Sequence, residues 1–369
     1  MNKSNVADFP YPSVESADAI QAIEHYVQQG WTDGLPIIPP TAAKVTECLD
    51  AVGLKPDEPV LSLPMVRRQI TASLAATNAV MAGCLPSYFP VVLAALEGWS
   101  NPRWGNGDDE FFYLSNASTG GGGQLLIVNG PIRDELEING GVNLYGPGVR
   151  ANATIGRALR LILMNAAGFV PGIIDNATQG HPGKFSYCIA ENQEESPWDP
   201  LHVDRNFDPD VSTVTTVGAR GPEPVENRMT RKADGILYSV ADTMSRVGAL
   251  VSGFAPTSTR VVVMGPEHAQ NIADEGWSKR DVKDFLFQHC RRPIADLTRA
   301  GMTTFPDEHE RVVVDGVEHI RGLVDPEDVL LVVAGANNAG ITSVITNWCY
   351  AIKPGDYVTT PIRNQGSAA

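Results

Sequence analysis

Two short apolar runs, each closed by Gly-Pro, limit the folds open to this chain more than any other feature. QLLIVNGP occupies residues 124–131 and TRVVVMGP residues 259–266. Each is followed by a polar, helix-like stretch ending near glycine, IRDELEINGG in the first case and EHAQNIADEG in the second. A third run, VLLVV at 329–333, is equally apolar on both parities. Strands that show no polar alternation are buried on both faces, so these runs predict interior strands with helices packed over them, an α/β architecture. The similarity also extends outward. MVRRQITASLAA (65–76) parallels MTRKADGILYSVA (229–241), and KFSYCIAENQE (184–194) parallels DVLLVVAGANN (328–338). The pattern predicts two related α/β halves, an internal duplication whose polar strand ends converge on a shared cleft.

The expected organisation has three parts. Residues 1–60 form an N-terminal helix (17–30) and an extended arm, WTDGLPIIPPT, that its prolines keep from being helical. Residues 61–225 form the first half with insertions, and residues 226–369 the second. Helices are expected at 67–81, 90–99 and from about 149 to 165, a loop at 101–109, and a capping-box start at Ser278 and Asp281. The formal charge of −15, without a basic run, argues against nucleic acid or an anionic membrane as partner. No 18-residue apolar segment or secretory signal pattern is present, which places the expected location in the cytoplasm. Five scattered cysteines without C-x-x-C predict reduced thiols rather than a disulfide framework. A homo-oligomer is the expected assembly on general frequency.

The segment richest in chemistry is GHPGKFSYCIAENQEESPWDPLHVDRNF, residues 180–207. Its apolar centre reads as a short strand that puts Ser186, Cys188 and Ala190 on one face and delivers Glu191 at its end. Glu191 and Glu194, three apart beyond the strand, are candidates for acid and base, with Cys188 as nucleophile if exposed and Lys184 nearby. The plainer readings are a small buried Cys188 and acids that open a helix. His181 and His202 flank the glutamates and could complete a divalent-metal site, although the spacing fits no helix-borne ligand motif. Downstream of Gly146, the helix start carrying Arg150, Asn152 and Arg157 is the best candidate for holding an anion, the alternative being that its arginines pair with acids. Asn129, Trp198 and Asn337, at other strand and loop ends, complete the expected substrate contacts. STGGGG (118–123) precedes a strand and lacks the lysine and hydroxyl of a phosphate loop, so it carries no nucleotide site.

GWTDGLPIIPPT, NAVMAGCLPSYFPVVLAALE, LLIVNGPIRDELEINGG, GPGVRANATIGRALRLILMN, GHPGKFSYCIAENQEESPW and PEHAQNIADEGWSKRDVKDFL together resemble one bacterial family of largely uncharacterised proteins. That family is related to the thiol-disulfide oxidoreductase-like proteins with a selenocysteine- or cysteine-Gly-Ser-Cys motif (UGSC-like). The matched motifs contain Asp33, Gly34, Cys84, Asn129, Arg150, Asn152, Arg157, Lys184, Cys188, Glu191, Glu194 and Trp198. Cys-Gly-Ser-Cys itself is absent, so the resemblance implies a partner or substrate-handling component for a small thiol or selenol protein. Two functions are therefore expected in competition. One is an enzyme (lyase, hydrolase, isomerase or thiol-dependent oxidoreductase) acting on a small anionic organic substrate through glutamate acid/base chemistry. The other is a non-catalytic binding subunit of a redox system.

Overall fold

The computed structural model describes residues 14–99, 116–251, 259–305, 309–348 and 358–363. The loop expected at 101–109 and Cys349 lie outside the described residues. The strands are β1 (Pro59–Leu63), β2 (Arg68–Thr71), β3 (Gly123–Asn129), β4 (Cys188–Ala190), β5 (Thr213–Ala219), β6 (Glu223–Glu226) and β7 (Arg260–Met264). They continue with β8 (Arg291–Pro293), β9 (Arg311–Val314), β10 (Val317–Arg321), β11 (Val329–Val333), β12 (Ile341–Thr346) and β13 (Val358–Pro361). The longer helices are α1 (Ala19–Gln28), α2 (Ala42–Asp50), α3 (Ala72–Ala82), α4 (Phe89–Trp99), α5 (Arg150–Asn165), α6 (Ala233–Met244), α7 (Pro266–Asp274) and α8 (Lys279–His289). The expected α/β class is the observed one.

Two four-stranded mixed sheets form the centre. One runs β13-β5-β3-β4 and the other β11-β7-β12-β6. In each, a Gly-Pro-terminated strand pairs in parallel with one neighbour, β3 with β4 and β7 with β11, and antiparallel with the other, β5 or β12. The fourth strand of each sheet comes from the far side of the chain. β6 follows β5 in sequence but pairs with β12, and β13 follows β12 but pairs with β5. A division at residue 225/226 therefore cuts through a strand of the second sheet, and the first sheet ends on a strand from the C-terminal region.

Alternation along the strands explains why the runs are apolar throughout. Leu126, Val128, Cys188, Ala190 and Val214 face a core shared with α3, α4 and α5. Val262, Met264, Leu331, Val333 and Val344 face a second core under α6, α7 and α8. The remaining parity, Leu125, Ile127, Ile189, Val217, Val261, Val263, Leu330, Val332 and Ile345, forms a third cluster in which the two sheets meet. The layers thus run helix, sheet, sheet, helix. Each aliphatic side chain buried this way contributes about 1.5–3 kcal/mol. Between the sheets that contact is made of buried hydrophobic side chains, so these faces meet in a packed seam.

Local chemistry sets the helix ends. Thr71 accepts from Leu74 N to start α3, and Gly83 closes it at φ +96°. The expected start at residue 67 is displaced because Arg68–Thr71 pairs with β1 as a hairpin. In α5, Ile155, Leu159, Ile162 and Leu163 are all buried, as their spacing predicts. Gly156 lets that helix lie against the β4 approach, since a Cβ there would collide with Ser186 and the Tyr187 amide. Ser278 and Asp281 form the expected capping box at α8. The stretch from Glu191 to Trp198 is a loop.

Candidate functional site

The tips of β3, β4 and β11 do come together, with their polar groups buried and bonded to one another. Glu191 is fully buried at the end of β4. Its Oε2 accepts from Asn129 Nδ2 at 2.5 Å and from Leu201 N at 2.8 Å, and its Oε1 from Val333 N at 3.4 Å. Asn192 continues the stitch, donating its backbone N–H to Val333 O at 2.8 Å and its side-chain amide to Gly335 O and Glu195 Oε2. The carboxylate ties the end of β4 to Asn129 and Leu201, while the neighbouring Asn192 makes the shorter link to β11 of the other sheet. An acid/base role for Glu191 would require solvent or substrate access, and its acceptor sites are occupied by the protein instead. Glu194 is different: its exposed carboxylate takes two guanidinium hydrogen bonds from Arg133, at 2.8 and 3.3 Å. That bonding holds it below its ordinary 4.5. Arg133, overlooked in the sequence, is nine-tenths buried and also donates to Glu191 O and Gly130 O. A cation two residues after Gly-Pro at a strand end was the available signal.

Cys188 lacks the exposure expected of a nucleophile. It is 5 % exposed, and burial, reinforced by nearby Cys84, pushes its thiol up to about 12. Cys48, Cys84 and Cys290 are free and buried as well. At the start of α5 the expected anion-binding side chains are engaged by the protein itself. Arg150 spends Nε and Nη2 on Gly83 O, anchoring α5 to the end of α3. Asn152 accepts from Asn139 N and donates to Asn139 O and Cys188 O. Arg157 makes a two-pronged pair with Asp33 at 2.8 Å and donates to Pro36 O, which pins the proline-rich arm to α5. Trp198 donates to Trp277 O and packs on the second core. Asn337 is exposed on the loop before β12.

The expected metal donors do not fit a cation. His202 is buried, with Nε2 on Pro209 O and Nδ1 facing Gln193. His181 has Nε2 on Ala219 O and Nδ1 accepting from Gly183 N. With both nitrogens of each ring occupied, neither offers a lone pair, and among the described residues no group of three or more His, Cys, Asp or Glu is placed to hold a metal.

Two of the expected residues, Lys184 and His181, do line an open space. A cleft of about 510 Å³ lies beside α5, walled by Arg160, Asp175, His181, Lys184 and Phe185, with Met164, Pro171 and Pro182 at its apolar margin. Asp175 is its centre: Lys184 Nζ reaches both carboxylate oxygens, at 2.6 and 2.8 Å, and Arg160 Nη2 reaches Oδ2 at 3.0 Å. Burial pushes the Asp175 carboxyl up, but Lys184 and then Arg160 outweigh it and hold it below its ordinary 3.8. Two positive charges therefore face Asp175, and the other carboxylate lining the cleft, Asp33, is taken up by Arg157. Among the described residues, that single bond is the only side-chain hydrogen bond of Arg160, so Nε and Nη1 remain for a ligand. Burial lowers the His181 imidazole below its ordinary 6.5, the hydrogen bond to Ala219 O opposes this, and Lys184 adds to the lowering. Asp175, in the apolar stretch GFVPGIIDNAT, escaped the sequence reading. A lone acid in such a stretch must find a cation if it is buried, and that was the usable clue.

Among the described residues no helix is long and apolar enough to cross a membrane. Searches for similar proteins found no matching family, no similar curated protein and no similar solved structure.

Proposed function

We propose that the chain binds a small organic anion in the cleft beside α5, with Arg160 and Lys184 receiving the charged end and Phe185, Met164, Pro171 and Pro182 covering an apolar body. The observation that carries this reading is the excess of cations around Asp175, with guanidinium donors left open toward a cleft of about 510 Å³. That volume suits a ligand of metabolite size. A planar guanidinium is matched to a carboxylate in geometry as well as charge. Glu191 and Cys188, both buried, have no part in this reading.

The test is calorimetric titration with a panel of small carboxylates, benzoate and succinate among them. Saturable binding that weakens at least about tenfold in Arg160→Gln, and weakens with added salt, is the expected result. Binding that is unchanged in both Arg160→Gln and Lys184→Gln would place the anion elsewhere and end the proposal.

A further inference from the structure

We propose a second oxyanion site, independent of the cleft, where the chain crosses from each sheet to the other, with Arg220 and Arg246 as its donors and a phosphate group as its ligand. The crossing is tightly built. Ala219 pairs with Asn347 in an antiparallel bridge, Arg220 N donates to Thr346 O at 3.0 Å and Trp348 N to Gly218 O at 2.7 Å. The Arg220 guanidinium lies over the Trp348 ring, 4.2 Å from its centroid. The indole is held in turn by a hydrogen bond from Nε1 to Ser118 Oγ and by the glycine run, because a Cβ at Gly120 would collide with it and one at Gly122 would sit 3.2 Å away. STGGGG thus serves as the seat of an indole, and the indole fixes the plane of a guanidinium.

So fixed, the guanidinium lacks an acceptor. Arg220 Nε and Arg246 Nε are both buried with no hydrogen-bond partner among the described residues. Glu223, three residues beyond Arg220 at the start of β6, engages Arg246 through Nη2 alone. Two guanidinium charges around one carboxylate leave a net positive site, and desolvation and then Arg246 destabilise Arg220 as a cation, against a smaller opposing effect of Glu223. A buried N–H without an acceptor is unfavourable, and like charges brought together add to that. A tetrahedral oxyanion offsets the paired positive charges, since separate oxygens can accept from the terminal nitrogens of two guanidinium groups at once. Stacking of a base or other ring is not part of the proposal, since the Arg220 guanidinium covers one face of the indole and the glycines pack against it.

Phosphorus-31 NMR of inorganic phosphate, with thermal unfolding of the full chain at constant ionic strength, tests the site. The expected result is line broadening and a saturable rise in Tm that chloride does not reproduce. Both effects should be lost in Arg220→Gln and in Arg246→Gln and kept in Arg160→Gln. Arg220→Lys, which keeps the charge without the fork, should weaken the effect, and the line width reports binding even where a variant shifts the baseline Tm. Phenyl phosphate in parallel separates a site for free phosphate from one that accepts a phosphate monoester, and specific binding of either supports the proposal. No broadening in the unsubstituted protein overturns it. So does broadening that survives both arginine variants, or that vanishes only in Arg160→Gln.

Discussion

Replacing Glu191 tests whether this residue is a structural joint. In Glu191→Ala, Asn129 Nδ2 and Leu201 N lose acceptors at 2.5 and 2.8 Å inside a fully buried environment. The third contact, from Val333 N at 3.4 Å, adds little. An orphaned buried donor costs about 1–3 kcal/mol, so two of them with the lost side-chain packing give a destabilisation of about 4 kcal/mol. Glu191→Gln retains one carbonyl oxygen. Turned toward Asn129 and Leu201, it keeps the short bonds and sets an N–H against Val333 N, at a cost of about 1–2 kcal/mol. Urea unfolding followed by circular dichroism reads both variants, and the midpoint should fall without a change in slope. Equal losses in the two variants, or losses below about 1 kcal/mol in both, would refute the reasoning, because the carboxylate would then not be the shared acceptor of three elements.

Mass spectrometry after brief iodoacetamide treatment at neutral pH should find Cys48, Cys84, Cys188 and Cys290 unmodified in folded protein and all four modified in urea, since thiols held at about 11 to 12 present almost no thiolate. Stability should decline as pH falls below 6.5. Burial depresses His181, His268 and His289 in the folded state, so the unfolded chain takes up protons first, and the stability gained from keeping these rings neutral is present above 6.5 and lost below it. His268, bonded to Thr342 Oγ1 and Asn227 O, is the most buried of the three, and urea midpoints at pH 7.5 and 5.5 should converge in His268→Gln if it carries part of the effect. Gly120→Ala forces a methyl into the Trp348 indole and should cost about 1–3 kcal/mol of unfolding stability. A neutral outcome there would show that the indole has another place to go.

What the sequence revealed was whatever depends on neighbours along the chain. Uninterrupted LLIV, VVVM and VLLVV implied strands covered on both faces, and they are; the stripe Ile155, Leu159, Ile162 and Leu163 implied a helix on a core, and α5 packs on one. Ser278 and Asp281 marked a helix start through bonds spanning three residues. Side-chain partners far apart in sequence were not readable. Arg157 finds Asp33 and Lys184 finds Asp175 only after the proline-rich arm and the 170–177 turn have been laid across α5. Candidates were chosen for chemical reactivity, yet a reactive type at a strand end can satisfy the backbone of the opposite sheet, as Glu191 does. Lys184 and His181 were retained in the site because their loop opens onto solvent. Residues 68–71 misled for a related reason: their composition suits a helix, but β1 offers them a hairpin partner.

The reciprocal placement of β6 and β13 bears on how the molecule can be taken apart. Each sheet ends on a strand supplied from beyond the other, so neither half, expressed alone up to or from residue 226, has its full complement of strands. Such fragments would expose a bare strand edge to the nearest unpaired neighbour, favouring swapped dimers or aggregates over stable separate lobes. Interlocked this way, the two lobes must close in one cooperative and topologically distant step, which makes slow folding a property of the connectivity itself.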